Sequence, residues 1–298
     1  MKVGRLFLLT ILLLTVFASS MTVFASRAGR YNADDALAYH RIVFLIDISG
    51  SMNTEDPYGI RNEISKMLVD SFHSSRTQMG FVAFNNTITH SHPLTSMASQ
   101  AARDNIKTEM DQLETRGWTD IGIGLNYAVN MLVNAPQAQN ISHTRSAIIF
   151  LSDGERTNNP ADGRTMEDAS ADHQEAIEMA ARYGILIHSI SISAVGQFDL
   201  TSMYDISNAT DGNWYEINLM SQLPDLFEEL FADLTGITPV RHSITGTGSQ
   251  QSLEIHIPHY HAIESSIMVW HNGALQSDVD GIYASFAPPT PSDRKSVV

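Results

Sequence analysis

Asp47, Ser49 and Ser51 occupy alternate positions where the apolar run RIVFLID (41–47) breaks toward a glycine, within FLIDISGSMNTEDP (44–57). One carboxylate and two hydroxyls form an all-oxygen set, suited to a hard cation such as Mg2+, Mn2+ or Ca2+ and not to a soft metal. Hydroxyls are weak ligands, so an ion held by them retains positive charge and seeks a further anionic ligand from outside. A second carboxylate comes from Asp153 in FLSDG (150–154), at the end of another apolar run and beside a turn glycine. A third hydroxyl is available from Thr119 in RGWTDIGIGL (116–125), in a loop just before a helix. Asp120, next to it, reads as the cap of that helix.

These residues need a frame that brings distant loops together. From Tyr39 to Thr235 strand and helix patterns alternate. RIVFLID is continuous and β-branched, as a strand buried on both faces should be. Helical spacing follows over 57–75, with Ile60, Ile64, Met67, Leu68 and Phe72. A strand is expected at 79–84, pairing through a turn at Asn85-Asn86 with a strand at 87–91. Helices are expected at 97–115, 121–134, 165–182, 199–208 and 221–235, and strands at 146–153 and 185–193; Gly184 ends the helix before the last strand. Such alternation implies a parallel sheet with helices on both faces, a doubly wound α/β fold in which ligands sit beyond the carboxyl ends of the strands at the switch point. Asp47 and Asp153 both fall at such strand ends.

Asp47-x-Ser49-x-Ser51, Thr119 in TDIG and Asp153 in LSDG together resemble the metal-ion-dependent adhesion site (MIDAS) of von Willebrand factor type A (vWA) domains, in spacing and in order. The resemblance spans about residues 40–235, and DPYGIR (56–61) is similar to bacterial members. It implies a Rossmann-like, mainly parallel sheet flanked by helices, with one divalent cation, Mg2+ first and Mn2+ or Ca2+ as alternatives. It further implies direct coordination by Ser49 and Ser51, direct or conformation-dependent coordination by Thr119, and water-mediated contacts from Asp47 and Asp153. An acidic residue of a protein partner would complete the octahedron.

Other chemistries fare worse. A phosphotransferase of the haloacid-dehalogenase type needs D-x-D, and here the second position is Ser49, which is no proton donor near neutral pH. GIGLNYA lacks the third glycine of a dinucleotide fingerprint, and neither a P-loop nor G-x-S-x-G is present. His256, His259, His261 and His271 gather in the C-terminal region, but His256 and His261 differ in strand parity and Pro258 interrupts the ladder. The sequons at Asn85, Asn140 and Asn208 carry little weight in a bacterial chain.

The segment before the site addresses the compartment. Lys2 and Arg5 precede an apolar run from Leu6 to Phe17, with Val23 and Ala25 meeting a small-residue cleavage rule. Residues 1–25 are expected to be a signal peptide cleaved after Ala25, the rival reading being an uncleaved anchor, and 26–38 a linker. The absence of cysteine fits a bacterial exoprotein. Removing the signal leaves 16 basic against 33 acidic residues, a charge of −17. Such a surface repels nucleic acid and anionic lipid and suits cations or basic partners. No membrane contact is expected beyond the N-terminal segment or a missing C-terminal anchor.

The vWA-like part is set at 39–235. After it, short alternating runs with glycines predict a partial β-rich domain over 238–292. The terminal DRKSVV (293–298) resembles a translated sequencing adapter, so the natural chain is expected to continue past Pro291. The whole reads as a non-enzymatic, cation-dependent adhesion module of an exported bacterial protein, extracellular or at the cell surface. The alternatives are a structural module of a surface or pilus-like protein and, less favoured, a metal-assisted hydrolase or phosphatase.

Overall fold

The computed structural model describes residues 5–11, 20–26, 38–72, 75–136, 144–154, 157, 163–193, 200–235, 239–245, 251–257, 267–271 and 274–276. The chain divides into two units, Tyr31–Leu230 and a terminal unit that combines Met1–Arg30 with Phe231–Val298. The apolar N-terminal residues enter the terminal unit as β1 (Arg5–Ile11) and β2 (Ser20–Ser26).

The larger unit is an α/β sheet in the order β5-β4-β3-β6-β7-β8. Its strands are β3 (Tyr39–Asp47), β4 (Thr77–Phe84), β5 (Ile88–Ser96), β6 (Thr144–Ser152), β7 (Ile185–Ile192) and β8 (Trp214–Ile217). Only β5 runs antiparallel to its neighbour. It continues five residues beyond the expected end at 91, carrying Pro93 on the sheet edge, where a missing N–H costs no ladder bond. The four-residue β8 escaped the sequence reading, because it is too short to show alternation.

Around the sheet lie α1 (Met52–Glu55), α2 (Ile60–Ser71), α3 (Gln100–Asp111), α4 (Ile121–Val133), α5 (Met166–Tyr183), α6 (Thr201–Ala209) and α7 (Leu223–Thr235). Their boundaries follow local chemistry. Asp56 accepts from the N–H groups of Ile60 at 2.6 Å and Arg61 at 3.1 Å, so α2 begins three residues later than its apolar periodicity suggests. Thr165 and Asp168 form a reciprocal capping box on α5, and Gly184, at φ 63°, ends that helix in the left-handed conformation.

Burial on both faces of β3 gives the sheet its core. Val43 and Leu45 join Val82, Phe84, Ile148 and Phe150 against Leu125, Val129 and Ala180 of α4 and α5. The alternate residues Ile42, Phe44 and Ile46 are equally buried on the opposite face. Further buried apolar residues come from α2, α3 and α7, among other elements, including Ile64, Leu68, Ile106, Met110 and Phe227. The result is a mainly parallel six-stranded sheet with flanking helices.

In the terminal unit, β9 (Pro239–Thr245), β10 (Gln251–Ile257), β11 (Ile267–His271) and β12 (Ala274–Gln276) follow. β1 pairs antiparallel with β10, and a four-stranded sheet has the order β12-β11-β2-β9. Cleavage after Ala25 would remove β1 and all of β2 except Ser26. His259, His261 and the terminal 293–298 lie outside the described residues. Among the described residues no helix is long and apolar enough to cross a membrane.

Candidate metal centre

The chain enters β4 on one side of β3 and later places β6 on the other, so the direction of winding reverses between β3 and β6. In open α/β sheets such a reversal is where ligands bind, outside the carboxyl ends of the strands. Ile46 pairs with Leu151, so Asp47, the last residue of β3, and Asp153, just past β6, emerge side by side. Both are fully buried.

The first loop folds on itself at once. Asp47 Oδ1 accepts the Ser49 N–H at 2.8 Å, which turns the chain so that the Ser49 and Ser51 hydroxyls lie 3.1 Å apart. Ser49 is 1% exposed and Ser51 half-buried. The one-turn helix α1 follows directly, with the N–H groups of Thr54 and Glu55 donating to the Ser51 carbonyl at 2.8 and 3.0 Å. Glu55 is buried and accepts from Ser193 Oγ at 3.0 Å. This acidic residue therefore has a structural anchor and is not a solvated rim.

The Thr119 loop is tied to the first loop by its backbone. Arg116 N–H donates to the Ile48 carbonyl at 2.7 Å, and Gly50 N–H to the Gly117 carbonyl at 3.0 Å. Gly117 adopts φ +83°, and a Cβ there would meet Asn86 Oδ1 at 2.7 Å, so only glycine fits this turn. Asn85, 5% exposed, gives its Nδ2 to the Arg116 carbonyl at 2.9 Å and its carbonyl to the Asp120 N–H at 2.9 Å. The sequon at Asn85 is thus a buried structural amide; Asn140 lies outside the described residues. On its far side, Thr119 N–H reaches Thr157 Oγ1 at 2.9 Å. Thr119 itself is 2% exposed.

Asp120 behaves as a cap. Its Oδ1 accepts from the Ile123 N–H at 3.0 Å, while Oδ2 pairs with Arg164, whose other arm holds Asp172 of α5. Arg164, Thr157 and Ser152 were not singled out from sequence. Ser152 had one local signal, a hydroxyl closing the apolar run that ends its strand. Its Oγ donates to Asp47 Oδ2 at 2.6 Å and accepts the Gly154 N–H at 3.0 Å.

Electrostatics are set by burial. Asp47 has its carboxyl pushed up to about 7, first by burial and then by the neighbouring Asp153 charge, against hydrogen bonds from Ser152 and Ser49. Two buried carboxylates with nearby hydroxyls fit a hard divalent cation, whose charge would remove the repulsion. Among the described residues no group of three or more His, Asp or Glu is placed to hold a metal, so hydroxyls have to complete the set here.

The profile of the von Willebrand factor type A domain matches residues 42–229, more than half of the chain. A mouse (Mus musculus) protein, Calcium-activated chloride channel regulator 3A-1, is 23% identical over 80% of this chain, which spans only 23% of that protein. Two solved structures share the fold. The von Willebrand factor type A structure from Catenulispora acidiphila superposes with a TM-score of 0.52 at 16% identity, covering 95% of this chain and 72% of that one. The pilus adhesin SpaC from Lactobacillus rhamnosus GG gives 0.53 at 15%, covering 76% and 33%.

Proposed function

The chain belongs to the von Willebrand factor type A domain family, and from that we propose that it is a divalent-cation-dependent protein-binding module of an exported protein. Domains of this family are usually binding modules without catalysis, and proteins are their general ligands. The observation that carries the reading is the junction of three loops at one crevice. There the buried Asp47, its carboxyl pushed up by burial and then by the neighbouring Asp153 charge, lies next to the paired hydroxyls of Ser49 and Ser51.

Asp47, Ser49, Ser51, Thr119 and Asp153 would hold the ion, Mg2+ first, with Mn2+ or Ca2+ as alternatives. When bound, it supplies an electrophilic position that takes a carboxylate of the partner. Ser49 and Ser51 contribute neutral oxygens, which leave that position electron-poor. Asp47 orients the first loop through Ser49 and is itself held by Ser152. A pilus adhesin among the fold neighbours is in keeping with an adhesive role.

The test is capture from native surface extracts with the full chain, in Mg2+ and in excess chelator, beside Asp47→Asn. Capture that needs the ion and is lost in the variant supports the reading. Capture unchanged by chelator contradicts it. Export is tested by N-terminal sequencing of secreted material, where this reading expects Ser26 as the first residue.

A further inference from the structure

Two exposed side chains near Thr119 have polar groups that no hydrogen bond or ion pair among the described residues takes up. Trp118 is 45% exposed, and its indole N–H has no hydrogen-bond partner among the described residues. Arg116 is exposed, and its guanidinium likewise has neither hydrogen bond nor ion pair among them. Several other cations are committed: Arg61 to Asp56, Lys66 to Glu63 and Asp111, Lys107 to Asp70, and Arg164 to Asp120 and Asp172. The backbone carrying this pair is fixed. Arg116 is held through its N–H and carbonyl, Gly117 through its carbonyl and its positive φ, and Thr115 Oγ1 donates to Asn53 of α1. An aromatic and a guanidinium group displayed on a rigid loop form a preorganised contact surface of the kind that dominates interface energetics.

The Arg116 guanidinium argues for the occupant, against the surface's overall preference for basic partners. The chain carries a net charge of −15, so a partner bringing a carboxylate to the crevice meets repulsion from most of the surface. An uncommitted arginine three residues from Thr119 offsets that locally. We propose that Arg116 and Trp118 form a second recognition element next to the ion, reading an extended acidic protein segment that sets another carboxylate on Arg116 and an apolar or aromatic side chain on Trp118. This inference rests on the ion-binding reading above and adds to it the sequence class of the partner.

The experiment uses the full chain against a displayed peptide library that has one fixed Asp and randomised flanks, selected in Mg2+ with a chelator control. Wild type, Trp118→Ala, Trp118→Phe and Arg116→Gln are compared, and Mg2+ affinity is measured separately by calorimetry. Expected are chelator-sensitive peptides enriched in a second acid and an aromatic or aliphatic residue close to the fixed Asp. Trp118→Ala and Arg116→Gln should each weaken them by about tenfold or more, with Trp118→Phe near wild type and Mg2+ affinity unchanged. Chelator-sensitive peptides that bind Trp118→Ala and Arg116→Gln as well as wild type would overturn this inference and leave the ion reading standing. Binding that survives chelator, or no binding in either condition, would overturn both.

Discussion

The Ser152 hydroxyl donates a 2.6 Å hydrogen bond to Oδ2 of Asp47, joining residues 105 apart in sequence at the ends of neighbouring parallel strands. It is a direct side-chain link between the first and the last segment of the candidate site. Ser152 thereby holds the Asp47 carboxylate with one oxygen toward β6 and the other toward Ser49, and favours its ionised form.

Ser152→Ala removes that link while keeping the strand. A hydrogen bond to a charged group contributes roughly 1.5–3 kcal/mol, so Mg2+ affinity is expected to fall about tenfold or more. Calorimetry on the two proteins checks this, and equal affinities would show that Ser152 does not prepare the site.

Metal binding should depend on pH. The Asp47 carboxyl sits at about 7, raised by burial and then by Asp153, and a cation needs it ionised. Affinity for Mg2+ is therefore expected to fall about tenfold per pH unit as pH drops below that value. For the metal-free fold the sign is opposite. The folded carboxyl binds its proton more tightly than the unfolded one at 3.8, so its contribution to stability is full at the acid end and is lost as pH rises through about 7. Melting curves with and without Mg2+ should thus diverge most on the alkaline side.

Asp47→Asn separates stability from binding. It removes one of two neighbouring buried charges while keeping the shape, so the metal-free variant should melt at or above the wild-type temperature at pH 8, with a gain of up to roughly a few kcal/mol. The same variant should show no thermal shift with Mg2+. A large loss of stability without metal would mean that the carboxylate serves the fold itself.

Much of this arrangement is legible in sequence, for definite reasons. β3 and β6 are buried on both faces, which writes itself as continuous apolar runs, and their last residues then stand out by chemistry. Asp120 is readable as a cap because a cap acts within three residues of itself. What stays hidden is long-range. Nothing local to Arg164 announces that it bridges Asp120 and Asp172, nor to Asn85 that its amide holds the Arg116 loop. β8 and α1, at four residues each, are too short to repeat the periods that would reveal them.

The Arg164 bridge gives a stability prediction. Asp120→Ala removes the α4 cap and one arm of the bridge, and should cost about 1–2 kcal/mol in chemical denaturation. Asp120→Asn keeps the cap acceptor and should recover a good part of that loss. If both variants unfold like wild type, the Thr119 loop is held by its backbone bonds alone.

The most direct measurement is anomalous diffraction from crystals of the full chain grown with Mn2+. The account predicts one strong peak bonded to Ser49 Oγ and Ser51 Oγ at about 2.0–2.3 Å, with Asp47, Thr119 and Asp153 around it. At saturating Mn2+, the absence of a peak at these hydroxyls, or Asp153 turned away from Ser49 and Ser51, would contradict it.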